Sequence, residues 1–193
     1  MLAKYFRNFI LLLTILAFSA CTHNRQPKVY LERKCLVTIP TPSILGDSFS
    51  AHHSLNFQTK DNSFQMHAQM EFENQELTIV GLNTAFATIF SLKQVGPKIT
   101  YVANIKSKIK PKFILGTYYL IFSPFDKIKE LLQKNTICTE TINENLRIRK
   151  FFVNKIEFFN IQYSPYKNGT KIVFENKKRK LIFTIIEDYR TKL

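Results

Sequence analysis

Strict alternation of apolar and polar residues predicts an antiparallel sheet in the first half of the chain. From residue 49 the apolar positions fall on every second residue, and the same period returns after a polar turn at 60–62. The apolar positions are Phe49, Ala51, His53, Leu55 and Phe57 in the first segment and Phe64, Met66, Ala68, Met70 and Phe72 in the second. We therefore expect two paired strands with one apolar and one polar face, followed by strands at 77–82, 88–93 and 99–103.

Between residues 113 and 134 the period changes to that of helices. The apolar residues at helical spacing are Phe113, Ile114, Tyr118, Ile121 and Phe122, then Phe125, Ile128, Leu131 and Leu132. Ser123 and Pro124 supply the capping hydroxyl and first-turn proline that favour a second helix start. The second helix carries its apolar residues in one stripe, so we expect it to lie against the sheet.

Strands return in the last third of the chain, at 146–153, 155–164, 171–176 and 181–188. The order of strands, two helices and strands predicts an α+β fold. We expect a single curved antiparallel sheet of about nine to eleven strands, covered on its concave face by two helices, within one domain over 47–193.

The N-terminus has the pattern of a bacterial lipoprotein signal. Lys4 and Arg7 precede a 12-residue apolar run at 9–20, which is too short to span a bilayer. Small residues then lead into Cys21, as in a bacterial lipobox. We expect cleavage of 1–20, acylation of Cys21, and a lipidated tether with an irregular lead-in over 21–46; the alternative is a plainly secreted protein. Thr22 after the cysteine, where Asp would favour retention, favours an outer-membrane anchor facing the periplasm.

The formal net charge is +14, from 28 Lys and Arg against 14 Asp and Glu. An envelope location excludes nucleic acid and leaves anionic lipid head groups as partners for this charge. The codon bias of an AT-rich genome, which favours Lys, Asn, Ile and Phe, would also explain the positive charge. The turn formed by Lys177, Lys178, Arg179 and Lys180 is the candidate contact with an anionic surface, and a solvated turn is the alternative.

The sequence gives little indication of catalysis. His52 and His53 are consecutive on a strand and face opposite sides, so they do not form a metal site. Neither Ser91 nor Ser123 has the context of a nucleophile, and there is no phosphate-binding glycine loop. We expect no cofactor, no metal and no enzymatic activity. Cys35 and Cys138 could form a disulfide in an oxidising compartment or remain as two buried thiols.

Several short motifs resemble a known group of proteins. They are the cysteine at 21, the corner Val80-Gly81-Leu82-Asn83-Thr84, the central helical pair and the strand Val173-Phe174-Glu175-Asn176. Over about 43–186 the chain resembles an uncharacterised proteobacterial lipoprotein family, a domain of unknown function sometimes encoded beside aryl-polyene lipid genes. More distantly it is similar to the outer-membrane receptor and periplasmic carrier of the Lol system. Ala85 stands where those proteins carry a leucine in a Ser-Pro-Leu-Gly corner.

This resemblance implies an unclosed half-barrel with a helical lid over a lipid-binding hollow. The implied lining residues are Phe57, Phe64, Met66, Met70, Phe72, Ile79, Phe90, Tyr118, Phe158 and Ile161. An ordinary dry core is the alternative for the same residues.

The implied function is that of a lipoprotein on the inner leaflet of the outer membrane that binds a lipid or acylated protein. Periplasmic carriers or envelope-pathway proteins would be its partners. A non-catalytic assembly or scaffold factor for an envelope lipid or polyene pathway, with a filled core, remains the alternative. An enzyme acting on an acyl intermediate is the third.

Overall fold

The computed structural model describes residues 26–32, 35–59, 62–104 and 110–193. The predicted signal peptide, 1–20, and the predicted acylation site, Cys21, lie outside these residues. The elements in chain order are β1 (Lys28–Glu32), β2 (Cys35–Thr38), a short 3₁₀ helix (Pro42–Leu45), β3 (Phe49–Gln58), β4 (Ser63–Glu73), β5 (Glu76–Leu82), β6 (Thr88–Val95), β7 (Lys98–Ala103), α1 (Pro111–Phe122), α2 (Phe125–Leu131), β8 (Thr136–Asn143), β9 (Leu146–Val153), β10 (Ile156–Tyr166), β11 (Gly169–Asn176) and β12 (Leu181–Lys192).

Ten strands form one antiparallel sheet in the order β7-β6-β5-β4-β3-β12-β11-β10-β9-β8. Neighbouring strands are consecutive in the chain except where β3 meets β12, with Leu55 opposite Ile185. Bulges interrupt the register in β6, β10 and β12, and bulges bend strands. The prediction of one large antiparallel sheet, not closed and accompanied by two helices, is confirmed.

The predicted alternation within the strands is confirmed except at one position. In β4, Met66 and Met70 are buried while Gln65 and Gln69 are exposed, so one face of the sheet carries the core. Phe64 was expected on this inner face among buried neighbours, but its side chain is 49% exposed. It lies at the start of β4, next to the turn, and contacts the half-buried Phe57 at the end of the core.

The prediction of an irregular lead-in over 21–46 is wrong, because this segment contains two strands, β1 and β2. Strands β1 and β2 form an antiparallel hairpin in which Val29 stands opposite Val37. Leu31 and Ile39 are almost fully buried with Val37, so the hairpin is part of the core. The folded unit therefore begins before residue 47, because these short strands bury enough apolar surface to dock.

Helix α1 packs against both the sheet and the hairpin. The Tyr119 hydroxyl donates to Gln94 Oε1 on β6 at 2.9 Å, and the Tyr163 hydroxyl on β10 donates to the Ile121 carbonyl at 2.7 Å. On the hairpin side, a Cβ added to Gly116 would stand 2.7 Å from Val29 Cγ1, which shows how closely helix and hairpin approach. Within the described part of the chain, no helix is long and apolar enough to cross a membrane.

Candidate functional site

The residues expected to line a hollow meet, but they meet in a filled core. Eight of them are at most 8% exposed and belong to one continuous buried cluster: Met66, Met70, Phe72, Ile79, Phe90, Tyr118, Phe158 and Ile161. Helix α1 lies on the inner face of the sheet and covers the cluster. In this conformation these residues therefore form a dry core, which was the alternative to a lipid-binding hollow.

Packing is tight within the core of the sheet. A Cβ added to Gly81 on β5 would stand 2.3 Å from Phe90 Cε1 and 2.7 Å from Met66 Cε, so both side chains use the space left by the missing side chain. The glycine of the predicted corner thus has a packing role. At the end of that corner, Phe86 is 63% exposed and stacks on His67 with ring centroids 4.8 Å apart.

Several polar groups along α1 are buried without a hydrogen-bond partner in the protein. They include the hydroxyls of Thr117, Tyr118 and Ser123, and Nδ1 of His53, whose ring stacks on Phe122. Burial also raises the pKa of Tyr118 well above its usual range. Each buried polar group without a partner costs about 1–3 kcal/mol, so these groups weaken the attachment of the helix.

An open cavity of about 280 Å³ lies where α1 ends. Its wall combines the link between the helices with the inner faces of β8–β12. The lining residues are Ile121, Phe122, Ser123, Pro124, Phe125, Glu140, Arg147, Arg149, Tyr163, Thr170, Ile172, Glu187 and Arg190. This cavity is polar, unlike the apolar hollow implied by the resemblance.

Arg149 connects the cavity to the helix. Its guanidinium Nη1 donates to the carbonyls of Leu120 and Ile121 at 3.2 Å and of Ser123 at 2.9 Å, and Nε pairs with Glu140. These carbonyls are the ones that the end of a helix leaves without intrahelical partners. Arg149, which is 2% exposed, therefore caps α1 and holds its end on β9.

The other two arginines of the cavity stack on aromatic rings. Cζ of Arg147 lies 3.8 Å from the centroid of Tyr163, and Cζ of Arg190 lies 3.8 Å from that of Phe49. Arg190 also lies 3.9 Å from Glu187, whereas no carboxylate of the described residues is within 4.0 Å of Arg147. Burial raises the pKa of Tyr163 to about 12, so its hydroxyl stays a donor to the helix end.

Sequence reasoning missed these cavity residues. Arg147 and Arg149 lie on the same face of β9 as Phe151 and Val153, which are buried. The sequence did contain a signal for them: both arginines stand at positions where the alternation of the strand predicts an apolar residue.

The basic turn is partly neutralised within the protein. Lys177 pairs with Glu157 at 2.8 Å, and this hydrogen bond raises the pKa of Lys177. Arg179 pairs with Glu32 of the hairpin at 2.8 Å. Lys178 lies 5.9 Å from the Phe158 ring, and Lys180 adopts a left-handed backbone with φ of 50°. The contact with an anionic surface stays a prediction, with Lys178 and Lys180 as its main charges.

The two cysteines are buried free thiols, so the possible disulfide between Cys35 and Cys138 is not formed. Burial raises the pKa of Cys35 to about 11 and that of Cys138 to about 12. Both groups are therefore neutral and unreactive as nucleophiles at ordinary pH.

A second polar cluster occupies the outer face of the sheet. The Ser54 hydroxyl donates to Asp188 Oδ2 at 2.8 Å, and His52 Nδ1 contacts the same oxygen at 2.9 Å. His67 Nδ1 lies 3.5 Å from the Ser54 oxygen. A nucleophilic serine would donate to a histidine base, whereas this serine donates to the carboxylate. Among the described residues, no three His, Cys, Asp or Glu side chains are placed to hold a metal ion.

Comparison with known proteins gives a matching family and a similar solved structure. Residues 50–187 match the sequence model of a family described as "Protein of unknown function (DUF3261)". No curated protein matches the chain significantly. Among solved structures, the LolA superfamily protein NE2245 from Nitrosomonas europaea is similar, with 9% sequence identity and a TM-score of 0.42 over 81% of this chain and 94% of that one.

Proposed function

Since the chain belongs to the DUF3261 family, whose function is unknown, we propose that it is a lipid-binding lipoprotein of the outer membrane that faces the periplasm. Its ligand is a lipid or the acyl chains of a lipoprotein, taken up between the inner face of the sheet and α1. The protein works by binding, without catalysis or a cofactor, and passes its ligand to or from a periplasmic carrier or an envelope-pathway protein.

The observation that carries the proposal is the attachment of α1. This helix covers an extended apolar face, yet the hydroxyls of Thr117 and Tyr118 are buried without a partner. Displacing the helix would return both hydroxyls to water and leave an apolar surface for an acyl chain, which has no polar groups to satisfy. Met66 and Met70 would adapt to such a chain, because their unbranched side chains have several rotatable bonds.

The binding proposal is tested on protein purified from membranes. Native mass spectrometry and lipid extraction should find a stoichiometric amphiphile, and delipidated protein should bind a fluorescent fatty acid saturably. A protein that carries no lipid and never binds the probe contradicts the proposal.

Anchoring is proposed from the sequence alone. Acylation of Cys21 should incorporate labelled palmitate in cells, and the Cys21→Ser variant should remain uncleaved or become soluble without label. Ser19→Gly, a small-for-small change beside the cleavage site, is the control that should keep the label. Palmitate incorporated into Cys21→Ser, or never into the natural chain, contradicts the lipid anchor.

A scaffold or assembly factor for an envelope lipid or polyene pathway is the second candidate. The close contacts at Gly81 favour it, because they describe a core that is already full. In that case the probe would not bind, and crosslinking in the envelope would instead capture pathway proteins through the outer surface.

A further inference from the structure

We propose that the cavity at the C-terminal end of α1 binds a phosphate group. This deepens the proposed function, on which it rests for the identity of the natural ligand: an acyl chain on the inner face would place an anionic head group at the polar end. The cavity is smaller than the roughly 300–1,000 Å³ of sites that enclose a whole drug-sized ligand. It has room for a head group and not for a complete lipid.

The cavity is lined by three arginines and two carboxylates, so one positive charge is not balanced. Arg147, Arg149 and Arg190 face Glu140 and Glu187 across it. Arg149 is used by the helix carbonyls and Glu140, while Glu187 lies between His53 and Arg190. Both carboxylates are thus paired, and the guanidinium of Arg147 is the charge without a carboxylate partner among the described residues.

Stacking prepares Arg147 to bind an anion. Its Cζ lies over the Tyr163 ring, 3.8 Å from the ring centroid, so the ring occupies one side of the guanidinium and restricts its position. The N–H groups point outward in the plane of the guanidinium, and arginine binds phosphate oxygens through such paired donors. Arg147 also stands opposite Tyr163 in the register of β9 and β10, so the strands themselves hold the two side chains together.

Ser123 is an independent indication of a ligand. It lines the same cavity, is 1% exposed, and its hydroxyl has no hydrogen-bond partner in the protein. Its carbonyl is held by Arg149, which fixes the residue beside the cavity. A phosphate oxygen would accept a hydrogen bond from this hydroxyl, which is otherwise buried at a cost.

The test measures binding of inorganic phosphate to the full mature chain in dodecyl maltoside, by calorimetry at constant ionic strength. The natural chain should bind saturably, and Arg147→Gln should weaken binding about tenfold or more, because a charged hydrogen bond is lost. Lys150→Gln is the matched control, with the same loss of charge on the opposite face of β9, and should bind as the natural chain does.

Two further variants keep the result interpretable if Arg147→Gln fails to fold. Ser123→Ala removes only the hydroxyl and should weaken phosphate binding several-fold, and Arg147→Lys should retain part of it. Binding that is not saturable, or that is equal in the natural chain, Arg147→Gln and Ser123→Ala, overturns the proposal.

A second ligand separates the source of the phosphate. Dihexanoyl phosphatidic acid should bind more tightly than inorganic phosphate if the site takes a lipid head group, and equally if it takes free phosphate; both results support the site. Because inorganic phosphate has no acyl chain, its failure to bind while the fluorescent fatty acid binds would refute this inference and leave the proposed function standing.

Discussion

Burial differs sharply between residues that share one apolar face of β4. Met66 and Met70 are 6% and 5% exposed, whereas Phe64 is 49% exposed. We expect Met66→Ala and Met70→Ala each to lower the free energy of unfolding by about 2–5 kcal/mol, because each leaves a cavity in the buried core.

Phe64→Ala is the control for this prediction, and should lower the free energy of unfolding by about 1 kcal/mol, because only part of the ring leaves an apolar surrounding. The loss is measured for all three variants from the midpoint of urea unfolding, provided that the dependence of the unfolding free energy on urea concentration is unchanged. Equal losses at the three positions would contradict the filled core.

The buried thiols predict a loss of stability in alkali. Burial raises the pKa of Cys35 to about 11 and of Cys138 to about 12 from an ordinary 9.0, so the folded state keeps both thiols neutral. The stability that the two buried thiols contribute is complete below pH 9 and is lost as the pH rises from 9 towards 12. In that range the cysteines of the unfolded chain ionise before those of the folded protein.

The natural chain should therefore lose more unfolding free energy between pH 7 and 10.5 than a Cys35→Ala/Cys138→Ala variant, which controls for alkaline titration elsewhere. Ellman's reagent should react slowly with the native protein and fast in urea. The same pH dependence in the natural chain and the variant would contradict two buried free thiols. So would the absence of any reactive thiol when the natural chain is unfolded without a reducing agent.

At the level of secondary-structure elements, the sequence predicted the strands in which apolar and polar residues alternate regularly over many positions. Strands β3 and β4 have ten and eleven residues and alternate throughout, so their faces were clear. The hairpin was missed because β1 and β2 have five and four residues, too few to establish a period. Strand β8 was also missed, because its apolar residues do not mark its buried face: Ile137 is 59% exposed while Thr136 and Cys138 are buried.

Docking of α1 depends on the capping by Arg149. Arg149→Met should lower the free energy of unfolding by about 3–5 kcal/mol, because it removes the hydrogen bonds to three carbonyls at the helix end and leaves the largely buried Glu140 without its partner. Adding Glu140→Gln should recover part of the loss by removing that charge. A double-mutant cycle of urea unfolding measures this, and strictly additive losses would contradict a coupled pair.

Over the whole molecule, the family and the sheet architecture followed from the sequence, and the polar cavity did not. Apolar periodicity identifies a surface that will be buried, but it does not show whether a ligand or a helix buries it. The cavity depends on Arg147, Tyr163 and Ser123, which come from two strands and a helix end. Only the register of β9 with β10 and the position of α1 bring them together.

The central claim is that a ligand binds where α1 now packs, and locking the helix tests it most directly. Val29 Cγ1 lies 2.7 Å from the position of a Cβ on Gly116, which places the pair within reach of a disulfide. The variant Val29→Cys/Gly116→Cys would tie α1 to β1, and the Val29→Cys single variant controls for oxidation elsewhere.

The measurement is binding of a fluorescent fatty acid to the delipidated double variant, oxidised and then reduced. Our account predicts that oxidation abolishes saturable binding, that reduction restores it, and that the single variant binds under both conditions. Equal binding by the oxidised and reduced double variant would contradict the account, because the ligand would then bind without displacing α1.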